Sequence, residues 1–201
     1  MNYVLVHGGS VTGAVWDGVK RLLESRGHRV LAPTLSDERT SSLTDHIREV
    51  CGALAGDDLR SVALVGHSYG GMVITGAAAS MPERLSSLCY IDAALPEPGQ
   101  SLFDVIRSGG RDPLSFAGLD PFPPYVEPLR FEPSALKAIP KVYVRCTQSE
   151  FGVVSERAAR MVQGEMKDGR WAYLELPTTH TPMRTMPEKV AELLLALPPS
   201  C

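Results

Sequence analysis

Short apolar runs of strand length alternate along this chain with longer stretches in which apolar residues recur every three to four positions. Tyr3–Val6, Arg29–Ala32, Val62–Val65, Leu88–Ile91, Ile139–Cys146 and Trp171–Leu176 have the length and β-branched content of buried strands. Between them, Trp16, Val19, Leu22 and Leu23 share one helical face, and Leu43, Ile47, Val50, Cys51 and Leu54 share another, with Thr44 or Ser42 available as its cap. Met72–Ala79 is an Ala-rich apolar run of helix length, and Val154, Ala158, Met161 and Val162 mark a further helix. Pro187 opens a closing helix whose Val190, Leu193, Leu194 and Leu197 face one way. This alternation predicts one α/β domain over residues 1–201, a mostly parallel sheet of about six strands with helices on both faces.

One stretch breaks the pattern. From about residue 96 to 133 prolines are dense (Pro96, Pro98, Pro113, Pro121, Pro123, Pro124, Pro128, Pro133) and aromatic residues frequent (Phe103, Phe116, Phe122, Tyr125, Phe131). It is too apolar for a disordered linker and too rich in proline for a sheet layer. A lid inserted over a functional site is the expected structure.

Composition narrows the possible partners. A net charge of −3 argues against a nucleic-acid or polybasic membrane surface. No apolar run approaches the length of a membrane span. The first residues lack a basic segment and enter a strand at once, so no signal peptide is expected, and the reduced cytoplasm is the expected compartment. Cys51, Cys89, Cys146 and Cys201 show no close pairing, and His7, His28, His46, His67 and His180 form no metal-type spacing. Neither a metal nor a cofactor is expected; the partner is a small-molecule substrate.

The candidate chemistry centres on Gly66-His67-Ser68-Tyr69-Gly70, which joins the strand Val62–Val65 to the Ala-rich helix. A serine between strand and helix, with glycine two residues to either side, is the nucleophile-elbow pattern. The turn is tight enough to strain the serine backbone and to exclude side chains at the glycine positions. It lifts the serine oxygen above the sheet and leaves the Tyr69 amide at a helix start, ready to donate to a developing oxyanion. The plainer alternative, a Gly-rich turn whose serine only caps the helix, leaves His7 and His180 as coincidences.

A serine hydroxyl needs a base. His180 lies in a loop beyond the last strand and follows the serine in chain order, as such a base does. His67 is a poorer base, because side chains adjacent to the serine point away from it; packing or substrate contact is its expected role. His7-Gly8-Gly9, at the end of the first strand, supplies the second oxyanion donor through the Gly9 amide. His7, Ser10, His67, Phe103, Phe122 and Tyr125 are the expected substrate contacts.

These segments resemble the α/β-hydrolase superfamily, and within it the small branch of bacterial esterases, plant hydroxynitrile lyases and methyl-ester esterases. The similarity runs through Val4–Gly9, Gly27–Val30, Leu64–Gly71, Ile91–Pro96, Lys141–Thr147 and His180 before Pro187-Glu188, and is weakest over the lid. The resemblance implies a Ser–His–acid triad, with an aspartate shortly after the strand matching Val142–Cys146. Here that stretch reads Thr147-Gln148-Ser149-Glu150, with serine where the aspartate is expected. Two carboxylates could replace it. Glu150 is one residue along, but neighbouring extended residues point oppositely. Asp92 ends the strand after the elbow helix, where some members of the family keep their acid, and is the expected partner of His180.

The leading expectation is a serine hydrolase that cleaves a small to medium, apolar or aromatic carboxylic ester or lactone through an acyl-enzyme. Two alternatives remain open at this level: a lyase or cyclase using the Ser–His pair as a general base, and a ligand-binding protein that keeps the fold without the chemistry.

Overall fold

The computed structural model describes residues 1–56 and 58–197. Cys201 lies outside the described residues, while Cys51, Cys89 and Cys146 are free thiols. Six strands form one sheet: β1 (Asn2–Val6), β2 (Arg29–Leu31), β3 (Val62–His67), β4 (Leu85–Ile91), β5 (Lys141–Cys146) and β6 (Trp171–Leu176). All are parallel, in the order β2-β1-β3-β4-β5-β6. Strand five begins at Lys141 and not at Ile139 as expected, because Pro140 has no N–H for the ladder.

Side chains alternate across the sheet, so each strand feeds two cores. Tyr3 and Leu5 of β1, with Ala63 and Val65 of β3, enter one core. Val4 and Val6, with Val62 and Leu64, enter the other. The first is closed by Val19 and Leu23 of α1 (Asp17–Glu24) and by Val190, Ala191 and Leu194 of α8 (Pro187–Leu195). The second is closed by α2 (Leu43–Gly56), α3 (Gly70–Ser80) and α7 (Gly152–Glu165). Burial on both faces explains why the inner strands β1, β3, β4 and β5 read as continuous apolar runs instead of alternating ones. Trp16, wholly buried, stands in a 3-10 turn (Gly13–Trp16) ahead of α1 and not on the helix itself.

The connection from β4 to β5 makes an excursion over the carboxyl ends of the strands. It contains α4 (Leu102–Ser108), α5 (Pro123–Val126), α6 (Pro133–Leu136) and a 3-10 turn at Pro113–Ser115. Ser101 and Asp104 form a reciprocal capping box on α4. Three of these elements begin at a proline, which presets φ and lacks only an N–H that the first turn would leave unpaired. The base of the excursion is closed by Gly99 donating to the Leu129 carbonyl at 2.7 Å and Leu129 donating to Gln100 at 2.9 Å.

The order in which strands are added reverses at β1: β2 lies on one side of it and β3 on the other, so β1 and β3 are neighbours although β2 intervenes in sequence. Such a switch point opens a crevice at the strands' carboxyl ends. Close approach of α3 to β1 narrows it: a β-carbon at Gly70 would lie 2.8 Å from the Val6 and His7 carbonyl oxygens. At the next residue, a β-carbon on Gly71 would overlap the Ala94 carbonyl oxygen and come within 3.0 Å of the Ala93 β-carbon. Gly71→Ala is expected to destabilise the fold by at least about 1–3 kcal/mol, read as a lowered urea midpoint, because the obstruction is backbone that cannot rotate away.

Candidate active site

The site is assembled from loops that follow β1, β3, β4, β5 and β6. After β3 the chain turns at Ser68, whose φ of 54° lies in the left-handed region. A β-carbon at Gly66 would meet the Gly70 carbonyl oxygen at 2.7 Å, so both flanking glycines are sterically required. The Ser68 carbonyl accepts from Gly71 N–H at 3.1 Å and Ala94 N–H at 3.0 Å, which fixes the strained turn.

Ser68 Oγ lies 2.9 Å from His180 Nε2, and His180 Nδ1 lies 2.7 Å from Asp92 Oδ2. Asp92, at the end of β4, is wholly buried and has a φ of 45°. Its second oxygen accepts the Cys146 amide at 3.1 Å. Burial pushes its carboxyl upward, but hydrogen bonds and charge from His180, a hydrogen bond from Ser149 and the Cys146 amide together hold it below the usual carboxylate range. An ionised Asp92 can only accept, so it places the imidazole proton on Nδ1 and leaves Nε2 free to accept from Ser68. Ser149 stands where the resemblance implies an aspartate. Its hydroxyl is 3.3 Å from His180 Nδ1 and accepts the Phe151 amide at 3.0 Å. Glu150 is exposed at the rim of the same cavity and makes no hydrogen bond to His180.

The Tyr69 amide sits at the start of α3, beside Ser68, and Gly8–Gly9 pass close to it from β1. A β-carbon at Gly8 would come within 2.9 Å of Ser68 Cβ and 3.4 Å of Oγ. Among the described residues, neither the Gly9 nor the Tyr69 amide has a protein acceptor. The adjoining cavity, about 240 Å³, is walled by Gly9, Ser10, Ser68, Tyr69 and His180, and by Leu102, Leu119, Phe116 and Phe151. Three larger clefts, of about 430, 550 and 640 Å³, do not reach Ser68.

Of the six expected substrate contacts, Ser10 alone lines this cavity. His7 is buried and serves the loop: Nε2 accepts the Leu35 amide at 3.0 Å and Nδ1–H donates to the Gly8 carbonyl at 2.7 Å. His67 is buried against His180, their ring centroids 4.6 Å apart, and its Nε2–H donates to the His180 carbonyl at 2.7 Å. Phe103 is core, with Arg107 over its ring. Tyr125 is wholly buried and donates to Glu38, and Phe122 packs beside it. The short helices of the β4–β5 excursion turn Phe103 and Tyr125 inward. Phe116 and Phe151 line the cavity instead, Phe151 lying 5.0 Å from the His180 ring. A phenylalanine following the polar Gln148-Ser149-Glu150 was the sequence signal for it.

Burial, and secondarily the nearby His180, lowers the His67 pKa from 6.5 to about 3, so the folded protein holds it neutral. Between those values the unfolded chain binds a proton that the native state does not. Stability should therefore fall as pH drops below 6.5, by up to about 1.4 kcal/mol per pH unit. His67→Gln keeps a donor for the His180 carbonyl and is expected to flatten that slope in urea titrations between pH 6.5 and 4. An unchanged slope would mean that other groups carry it.

Residues 3–193 match the family described as the alpha/beta hydrolase family. The chain belongs to the alpha/beta-hydrolase family. It is 32% identical, over 98% of its length and 99% of the relative's, to a carbendazim hydrolyzing esterase of a Nocardioides species. That alignment extends over 240 positions although this chain has 201 residues, so the relative carries insertions that this chain lacks. A pyrethroid hydrolase of Sphingobium wenxiniae is 28% identical, covering 95% of this chain and 85% of its own. Among solved structures, an extracellular alpha/beta-hydrolase from a Paenibacillus species superposes with a TM-score of 0.77 at 22% identity, covering 98% of both chains.

Proposed function

We propose that this α/β-hydrolase is a serine carboxylic-ester hydrolase working through an acyl-enzyme. The observation that carries the reading is the continuous hydrogen-bonded line Ser68–His180–Asp92, which ends in a cavity with two amides free to donate. Ser68 Oγ attacks the ester carbonyl while His180 Nε2 takes its proton. The Tyr69 and Gly9 amides hold the tetrahedral oxyanion, and Asp92 stabilises the imidazolium without accepting its proton. The alcohol departs with the proton from Nε2, and water, activated by His180, releases the acid.

Leu102, Phe116, Leu119 and Phe151 around a cavity of about 240 Å³ favour a short apolar or aromatic group over a bulky one. In this reading the β4–β5 excursion is the lid. The names of the Nocardioides and Sphingobium relatives, both ester-cleaving enzymes, support the same reaction class. No metal or cofactor enters the scheme.

A panel of p-nitrophenyl esters from acetate to octanoate tests it, together with labelling by a fluorophosphonate. Turnover that declines with acyl length, and a single label mapped to Ser68 by mass spectrometry, are the expected results. Turned-over ester without a trappable serine would instead favour general-base chemistry of the lyase type.

A further inference from the structure

The loop 32–42 that follows β2 grips the loop after β1 at two points. Upstream of the paired glycines, the Leu35 amide donates to His7 Nε2. Downstream, Glu38 Oε2 accepts the Ser10 amide at 2.9 Å, and Glu38 Oε1 lies 3.1 Å from Ser10 Oγ. Ser10 has a φ of 58°, a conformation that a residue with a β-carbon keeps only where its surroundings hold it. The two contacts from Glu38 provide that hold. A further donor arrives from the lid: the Tyr125 hydroxyl of α5 gives its proton to Glu38 Oε2. That hydroxyl fills the space a β-carbon on Gly9 would occupy, and the Tyr125 ring meets Tyr69 edge-on at 5.1 Å. One lid side chain thus bears on both residues whose amides are assigned to the oxyanion.

We infer that Glu38 is a positioning residue for the oxyanion hole, and that the Tyr125–Glu38–Ser10 cluster clamps the lid onto it. Glu38 touches no reacting atom; it acts by fixing Ser10, and with it the aim of the Gly9 amide one residue earlier. A carboxylate suits the position because the neighbours on its oxygens are all donors. The Ser10 hydroxyl has a single proton, which reaches either Glu38 or the Gly118 carbonyl of the lid at 3.1 Å, so both partners draw on the same small cluster. Alanine at this position removes both contacts to Ser10 and the acceptor of the Tyr125 hydroxyl. Phenylalanine at position 125 keeps the packing on Gly9 and Tyr69 and removes only the tie to Glu38.

The inference rests on the ester-hydrolase reading, so its test separates the two. Fluorophosphonate labelling rates and p-nitrophenyl acetate kinetics are measured for wild type, Glu38→Ala and Tyr125→Phe, with thermal melts alongside. Phosphonylation of Ser68 draws on the oxyanion donors whatever the natural substrate is. Glu38→Ala is expected to lower kcat and the labelling rate together by about tenfold to a hundredfold, as ångström-scale misplacement does, with KM changed much less. Tyr125→Phe is expected to show a smaller loss with the same split. A purely structural role would lower Tm and the active fraction while leaving kcat per labelled site intact, and that result overturns the clamp. Wild-type labelling rates in both variants overturn it too, while leaving the hydrolase reading standing. A wild type that resists labelling overturns both. If Glu38→Ala does not fold, Tyr125→Phe decides alone.

Discussion

Ser68→Ala is expected to lower kcat on any ester that the wild type turns over by about a millionfold, with KM changed far less. The oxygen removed is both the attacking atom and the partner of His180 Nε2 at 2.9 Å. What remains is a cavity with two free amides, able to hold an ester and stabilise an oxyanion but offering only water as nucleophile. The fold should not suffer. Alanine keeps the β-carbon, so the left-handed backbone at φ 54° is no more strained than before, and the carbonyl bonds to Gly71 and Ala94 are unaffected. Tm should therefore stay close to wild type while the burst of alcohol in the first turnover disappears. Retention of more than a hundredth of the wild-type kcat in a clean preparation would falsify the acyl-enzyme scheme.

The sheet was legible in the sequence because its inner strands β1, β3, β4 and β5 are buried on both faces, so each of them announced itself as an apolar run. Ser68 and His180 were legible for a related reason: the elbow demands glycines at fixed offsets, and a polar loop after the last strand offers a histidine in the right chain order. The β4–β5 excursion was legible only as a region. Its prolines read as breakers, yet Pro113, Pro123 and Pro133 each start a helical turn, and those turns decide which aromatics face inward. Periodicity carries little signal over four residues, so Tyr125 could not be told from Phe116 by pattern. Glu38 was invisible for another reason. Its partners Ser10 and Tyr125 are 28 and 87 residues away in sequence, and no local rule links them.

Asp92→Asn is expected to cost about ten-thousandfold in acylation rate while leaving the fold in place. The carboxylate is wholly buried, with one oxygen on the Cys146 amide and the other on His180 Nδ1. An asparagine oxygen can keep the first contact, but then its NH2 faces Nδ1. A donor in that position drives the imidazole proton to Nε2, where it meets the Ser68 hydroxyl as a donor and can no longer receive its proton. The imidazolium formed during attack also loses its counter-charge in a buried setting, where such a loss is felt most. Ser149 cannot substitute, since it brings a hydroxyl and no charge. Glu150 carries the charge, but its exposed position at the rim leaves it outside the hydrogen-bonded line, so Glu150→Gln should change kcat little. The carboxyl of Asp92 lies below the usual range in the folded protein, so the stability it contributes is present above the ordinary aspartate pKa of 3.8 and lost as pH falls through the depressed value. Asp92→Asn should remove that acid-side loss along with the activity, whereas Glu150→Gln should remove neither. Stopped-flow acylation rates and acid titrations of the two variants decide it: a Glu150→Gln loss comparable to that of Asp92→Asn would move the triad's acid to the other loop.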